Sequence, residues 1–198
     1  MQLIVKRLFD VFICFFVLII LMPILIIIGI LIKFDSKGPI FYFQERIGLN
    51  NNAFKIIKFR SMVVNAENIG LKYRVVRDDP RITKIGHFIR KTSIDELPQL
   101  LNILKGEMSL IGPRPTLRFQ VEKYTDFQKQ RLKMKPGVTG LAQCRGRKSL
   151  NWDQRIRLDI LYIQKYNLCL DIWIILETIK TMFNSNEVYR DSKSWIEK

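Results

Sequence analysis

The sequence predicts an α+β fold: a mostly helical, membrane-associated domain with a small β-hairpin and an N-terminal apolar helix broken at a proline. Residues 11–32 form a single apolar run with no charged side chain. Two strand-like pieces, Ile40–Gln44 and Phe54–Phe59, lie on either side of an asparagine-rich turn. Helical spacing of apolar residues follows in three stretches, at residues 116–133, 151–166 and 168–183.

Length and charge limit what the chain does. Its 198 residues are enough for one compact domain with an appendage, divided at residues 1–36 and 37–198. Lys and Arg number 33 and Asp and Glu 18, so the net charge is +15. A chain this basic binds nucleic acid, an anionic membrane surface or an anionic substrate. The three cysteines form no CxxC pair, and His87 is the single histidine, which disfavours a zinc site.

The apolar run is long enough to cross a bilayer, since residues 11–32 would extend about 33 Å as a helix. It is too long for a signal peptide and lacks a small-residue cleavage site. Pro23, near its midpoint, predicts a kink. Two shapes remain open: a span with its N-terminus on the far side, and a helix–break–helix with both ends in the cytoplasm. Cationic residues flank the run on both sides, which favours the second shape: Lys6, Arg7, Lys33 and Lys37.

The segment after the run predicts a hairpin and then a polar connection. In the hairpin, Lys58 and Arg60 are expected to share one face because strand residues two apart do so. Residues 63–90 predict a mobile loop with some helix, and Asp78-Asp79-Pro80 favours a turn over a metal site. The basic segment 84–91 would lead Arg90 toward the acidic pair that follows.

That acidic pair, Asp95 and Glu96, precedes a short apolar helix pattern. Pro98 is tolerated only near a helix start, and Gly106 stands where a helix would end. The carboxylates would lie at the positive end of the helix dipole, where Asp95 could act as a nucleophile or a metal ligand. Arg114, between two prolines, could hold a phosphate.

A simpler interpretation of the same stretch is open. Acidic residues in a first helical turn usually serve only as favourable caps, and Ser93 with Glu96 matches a capping box. Pro98 weakens this alternative, since a helix starting at Ser93 would place the proline where an N–H should bond.

In the C-terminal half, residues 116–133 predict one amphipathic helix that ends before Lys135. The segments PGVTGLAQ and CRGRKS are expected to be loops, and the tail after Asn184 is expected to fray. The helix over 168–183 is unusually apolar and is either a membrane-interface helix or a buried core helix.

Together these features indicate phosphoryl transfer at a membrane surface, with an anionic substrate and a lipid-bound partner. Carboxylates alone would repel a diphosphate, so a divalent cation is implied, and oxygen ligands favour Mg²⁺ held by Asp95 and Glu96. A positive clamp around the substrate phosphates would be supplied by four cations: Lys58, Arg60, Arg90 and Arg114.

The chain resembles the bacterial sugar transferase family, the small monotopic phosphoglycosyl transferases of the PglC type. The resemblance runs almost end to end. It is carried by ordered motifs: KRLFD (6–10), the run broken at Pro23, KGPIFYFQERIG (37–48), FKIIKFRSM (54–62), IRKTSIDELPQLLNILKGEMSLIGPRP (89–115) and KPGVTGLAQ (135–143).

The resemblance implies that Asp95 attacks a UDP-sugar, expels UMP and then passes the phosphosugar to undecaprenyl phosphate. Glu96 would serve the Mg²⁺ and the second substrate. Lys6 and Arg7 would lie at anionic lipid headgroups, and Pro23 would mark the turn of a re-entrant helix. The resemblance implies the cytoplasmic face of the bacterial inner membrane, with residues 1–36 inserted, 37–198 catalytic and some helices interfacial.

Three departures from the family pattern stand out. Met22 replaces a serine before the proline, Leu141 stands where tryptophan is common, and CRGRKSLNW (144–152) differs from the usual loop. Two rival classes are a membrane-tethered nucleic-acid binder and a non-catalytic membrane scaffold. The sequence offers no recognition helix, finger or aromatic RNA-binding run for the first, so nucleic acid is not an expected partner.

Overall fold

The computed structural model describes residues 2–69, 76, 79–146 and 150–183. Helices dominate, and an antiparallel hairpin and one short parallel strand pair complete the described fold. The prediction of a mostly helical α+β domain with a small hairpin is confirmed.

The first element, α1, is a helix over Gln2–Asp35 that includes Pro23. Among the described residues it is the one helix long and apolar enough to cross a membrane. Its first half packs Cys14 into a core cluster with Ile103, and its second half packs Ile32 against Phe59. Many of its other apolar side chains are exposed, among them Leu8, Phe12, Ile20, Ile24, Ile26 and Ile27.

The hairpin consists of β1 (Phe41–Ile47) and β2 (Ala53–Phe59), paired from Phe41↔Phe59 to Ile47↔Ala53. Its turn contains Asn50 and Asn51 at φ 53° and 65°. Asparagine tolerates this left-handed conformation better than most residues, which explains the asparagine-rich turn.

After the hairpin comes a 3₁₀ turn at Ala66–Asn68. The next helix is α2 (Lys84–Lys91), which Thr83 caps by accepting a hydrogen bond from Gly86 N. Part of the predicted loop, residues 70–75 and 77–78, lies outside the described residues. Asp79 forms a buried ion pair with Arg81 at 2.7 Å, consistent with a turn rather than a metal site.

The next helix is α3 (Gln99–Lys105), which begins after Pro98 and ends at Gly106, whose φ is 87°. Both end signals were predicted and are confirmed. After α3, β3 (Ser109–Ile111) pairs in parallel with β4 (Gly137–Thr139) and brings two motif loops together.

Two predictions for the C-terminal half are wrong. Residues 116–133 do not form one helix but α4 (Arg118–Val121), α5 (Asp126–Lys129) and a 3₁₀ turn, because Thr125 caps a new helix. The stretch predicted as two loops over 136–149 instead contains β4 and the helix α6 (Leu141–Gly146), while residues 147–149 lie outside the described residues.

The last two predicted helices are confirmed as α7 (Trp152–Gln164) and α8 (Leu168–Phe183). Ile174 on α8 is fully buried, whereas a second apolar face is exposed: Ile172, Trp173, Leu176 and Ile179. The core alternative is confirmed for one face of the helix, and the membrane-interface alternative stays a prediction for the exposed face. The predicted frayed tail lies outside the described residues.

Candidate active site

A tight turn before α3 presents the acidic pair. Ser93 stands at φ 59°, and a 3₁₀ turn over Ile94–Glu96 follows, with Glu96 N donating to Ser93 O at 3.2 Å. The Glu96 side chain turns toward two cations instead of the Ser93 backbone, so the capping-box alternative is wrong. Neither carboxylate is used to cap the turn, so both can interact with groups outside it.

The Glu96 carboxylate bridges a strand and a loop. Its Oε1 accepts a hydrogen bond from Lys58 Nζ at 2.6 Å and another from Arg114 Nη2 at 2.7 Å. Burial by itself would raise the pKa of Glu96, but Arg114 and Lys58 hold that pKa well below its usual range. Glu96 is thus a permanent anion that orders the two cations.

The Asp95 carboxylate has a different environment. Burial raises its pKa to about 6, and adjacent Glu96 adds to the rise, while Lys58, Arg90 and Arg114 oppose it. Within the described residues no group donates a hydrogen bond to this half-buried carboxylate. A carboxylate near several cations, with its oxygens uncommitted, is suited to attack an electrophile.

Backbone contacts hold Arg114 in place. Its carbonyl accepts from Arg131 Nη2 at 3.1 Å, and the neighbouring Pro113 carbonyl accepts from Gly137 N at 2.9 Å. The Arg114 side chain is 49% exposed and so reaches outward from a fixed base. Arg90 at the end of α2 makes a long contact of 3.5 Å to Ser61 Oγ, which leaves its guanidinium largely uncommitted. The structure therefore brings Lys58, Arg90 and Arg114 to the acidic pair.

Arg60 is not brought to this site. It is 4% exposed, and its guanidinium donates to the Ser36 carbonyl at 2.9 Å and the Lys37 carbonyl at 3.1 Å. It also donates to the Ile32 carbonyl in the last turn of α1 at 3.5 Å, so Arg60 supplies donors to carbonyls at and just beyond the end of this helix.

The two N-terminal cations also have protein partners. Lys6 is buried in an ion pair with Asp171 at 2.7 Å, and Arg7 donates to the carbonyls of Ile103 at 2.5 Å and Leu104 at 3.0 Å. Both anchor α1 to the domain: Lys6 reaches α8, and Arg7 reaches the C-terminal end of α3. Pro23 is exposed on α1, away from these anchors.

A buried support that the sequence did not predict lies beneath Arg114. Arg131 forms an ion pair with Asp159 of α7, and its guanidinium lies over the Trp152 ring in a cation–π contact, 5.6 Å from the ring centre. Burial raises the pKa of Asp159 to about 6 even beside Arg131. The partners lie far apart in sequence, so no local pattern signalled the pair.

The carboxylate oxygens of the acidic pair could hold a divalent cation together with substrate phosphates. In the described chain no group of three or more His, Cys, Asp or Glu side chains forms a ready metal cluster. Asp95 has uncommitted oxygens, but Glu96 Oε1 already accepts from two cations. Mg²⁺ commonly takes one or two carboxylates and completes its shell with substrate phosphates and water, which fits this arrangement.

Comparison with known proteins shows which family the chain matches. A family model described as bacterial sugar transferase matches residues 1–185. The chain is 39% identical to the exopolysaccharide production protein ExoY of Sinorhizobium fredii, over 93% of this chain and 88% of that protein. It is 40% identical to the undecaprenyl-phosphate galactose phosphotransferase of Salmonella typhimurium, over 93% of this chain and 41% of that protein. It is also 40% identical to the undecaprenyl-phosphate glucose phosphotransferase of Komagataeibacter xylinus, over 93% of this chain and 37% of that protein.

The chain therefore belongs to the bacterial sugar transferase family, and the resemblance inferred from its motifs is confirmed. It spans most of ExoY but less than half of the two phosphotransferases.

Proposed function

We propose that this protein transfers a phosphosugar from a UDP-sugar to undecaprenyl phosphate through a covalent intermediate on Asp95, with release of UMP. The product would be the first lipid-linked intermediate of a glycan. Two relatives are named for phosphotransfer to undecaprenyl phosphate, which supports the acceptor. The observation that carries the proposal is the uncommitted Asp95 carboxylate among three cations.

In the first step an Asp95 oxygen attacks the β-phosphorus of the donor. The bond between that phosphorus and the oxygen bridging to the α-phosphate breaks, and UMP leaves with the electron pair. In the second step a phosphate oxygen of undecaprenyl phosphate attacks the same phosphorus, and the Asp95 carboxylate is released. Splitting the reaction lets a soluble and a membrane-bound substrate use the site in turn.

The cations would serve both steps. Arg114 and Arg90 can bind phosphate oxygens and offset the negative charge that develops on them. Lys58, fixed to Glu96, adds positive charge without leaving its place. With a pKa of about 6, Asp95 is mostly ionised at pH 7 and available as a nucleophile.

A Mg²⁺ ion would be held by one Asp95 oxygen together with the diphosphate of the donor. When bound, it would supply positive charge to the diphosphate and the leaving UMP. Glu96 would join it only if its bond to Lys58 or Arg114 opened.

The contacts of α1 support insertion from one side of the membrane. Arg7 near its start bonds to α3, and Asp35 at its end accepts a hydrogen bond from Ile85 N of α2 at 2.9 Å. A helix that crossed the bilayer would separate one of these contacts from the catalytic domain. We propose a re-entrant helix with Pro23 in the apolar core of the bilayer and both ends at the cytoplasmic face of the inner membrane.

Two further features fit this placement. The exposed apolar face of α8 would lie in the membrane interface, and the net charge of +15 would attract anionic lipids. Labelling from the cytoplasmic side tests the topology in a variant whose native cysteines are replaced by serine. A cysteine in place of Gln2 should react, and its protection would contradict a re-entrant helix.

UMP release from UDP-sugars in the presence of undecaprenyl phosphate and Mg²⁺ tests the activity itself. The two phosphotransferases are named for galactose and for glucose, so the donors UDP-galactose and UDP-glucose come first in the panel. Asp95→Asn should abolish UMP release. Asp126→Asn makes the same chemical change at an exposed carboxylate and should retain it. Full turnover by Asp95→Asn would remove Asp95 as the nucleophile.

A further inference from the structure

The outer edge of β2 is occupied by a side chain rather than by a strand. One edge of β2 pairs with β1, in register Phe43↔Ile57. On the other edge, Asn102 Oδ1 accepts a hydrogen bond from Ile57 N at 2.9 Å, and Asn102 Nδ2 donates to Lys55 O at 2.8 Å. These are the donor and the acceptor that a further strand would use, so the amide of Asn102 substitutes for its backbone.

Asn102 is held tightly in this position. It is fully buried, and its Nδ2 also donates to Glu107 Oε2 at 2.6 Å. Its own carbonyl accepts from Glu107 N at 3.0 Å and from Met108 N at 3.3 Å. Both the oxygen and the nitrogen of the side-chain amide are hydrogen-bonded. The side chain therefore cannot rotate without leaving buried polar groups unpaired, which is costly.

The hydrogen bonds of Asn102 connect the strand that carries Lys58 to the helix that follows Glu96. Lys58 directly follows Ile57 on β2, and Glu96 lies in the turn that leads into α3. The rest of the contact between helix and strand is apolar, with Leu100 and Ile103 packed near Ile56. Apolar packing is not directional, whereas a pair of hydrogen bonds fixes the position of the helix along the strand.

We propose that Asn102 is a positioning residue, which ties α3 to the outer edge of β2 and so holds Lys58 against Glu96 and beside Asp95. This role rests on the function proposed above. Loss of the amide would let Lys58 move away from the acidic pair. The donor phosphates would then lose one of the cations proposed to offset their charge.

The test compares Asn102→Ala with two controls in the full chain in lipid nanodiscs. Ile103→Ala removes core packing from the same helix but keeps the strand bonds, and Glu107→Gln keeps both strand bonds as well. The first measurement is acylation of Lys58 by an amine-reactive ester, followed by peptide mass spectrometry. The second is the kcat and the donor KM of UMP release.

We expect Asn102→Ala to increase Lys58 acylation above both controls. We also expect its KM for the donor to rise about threefold, because a displaced Lys58 no longer adds its positive charge at the donor phosphates. A variant that is only less stable would lose active enzyme, which lowers the apparent kcat and leaves KM unchanged. If Asn102→Ala does not fold, Asn102→Ser, which keeps a polar group under the strand edge, takes its place.

Lys58 acylation and a donor KM indistinguishable from those of Ile103→Ala would overturn the positioning role. If the wild-type protein releases no UMP, the proposed function fails, and Lys58 acylation still decides the role of Asn102. Raised acylation in the variant would then support it, and equal acylation would refute it.

Discussion

Replacing Asp95 by asparagine should make the protein inactive and at the same time more stable. Burial, with a smaller contribution from Glu96, raises the pKa of Asp95 to about 6 in the fold. The folded protein therefore disfavours the ionised carboxylate that the reaction requires. Asparagine has nearly the same shape and carries no charge, so it removes this cost.

The size of the gain follows from the pKa difference. A rise from 3.8 to about 6 corresponds to about 3 kcal/mol at neutral pH. Asp95 is only half-buried, and solvent screening reduces the effect, so about 1–3 kcal/mol is expected. For a chain of this length, that is a rise in Tm of about 2–10 °C.

The gain should depend on pH with a defined sign. Above pH 6 the carboxylate is ionised in both the folded and unfolded states, and the wild-type protein bears the full cost. As the pH falls from about 6 toward 4, the folded state takes up a proton first, and the cost disappears. The difference between Asp95→Asn and wild type should be largest near pH 7.5 and small near pH 4.

Thermal unfolding in detergent at these two pH values measures the difference. Glu96→Gln serves as a control in which Tm should change in the opposite direction. Arg114 and Lys58 stabilise the ionised form of Glu96, so removal of its charge should lower Tm at pH 7.5. A lower Tm for Asp95→Asn than for wild type at pH 7.5 would refute this account of the site.

Three more predictions follow from the placement of the charged residues. UMP release should fall about tenfold per pH unit below pH 6, and a flat profile between pH 7 and 5 would argue against ionised Asp95 as the nucleophile. Arg60→Met should lower Tm but leave KM for the donor unchanged, whereas Arg114→Met should raise KM for the donor. An equal rise in KM for the two variants would place Arg60 at the substrate. Arg131→Met should lower the free energy of unfolding in urea by about 3–5 kcal/mol at pH 8 and by less at pH 5, where unpaired Asp159 becomes protonated. A loss of stability that is independent of pH would contradict the buried pair.

Local sequence patterns were enough to predict the hairpin and both ends of α3. The turn residues Asn50 and Asn51 and the caps Pro98 and Gly106 each act over a few positions, where the chain's conformational preferences are strong. The break between α4 and α5 also has a local signal, since Thr125 and Gln128 form a capping box. The helical spacing of apolar residues across the break nevertheless favoured a single helix.

The environment of the site could not be predicted in the same way. Lys6 pairs with Asp171 across 165 positions, and Asn102 reaches the backbone of β2 across 45. Such partners are decided by how the elements pack and leave no spacing signal in a single sequence. For the same reason Arg60, two residues from Lys58, was expected at the substrate but lies at the end of α1.

Trapping the phosphosugar on Asp95 tests most directly whether this residue carries it between the two substrates. The protein in nanodiscs is incubated with donor and Mg²⁺ but without undecaprenyl phosphate, quenched in acid, and digested for mass spectrometry. We predict that the peptide containing Asp95 gains the mass of one phosphosugar and loses it when undecaprenyl phosphate is added. Lipid-linked product formed while that peptide never carries the added mass would contradict the account.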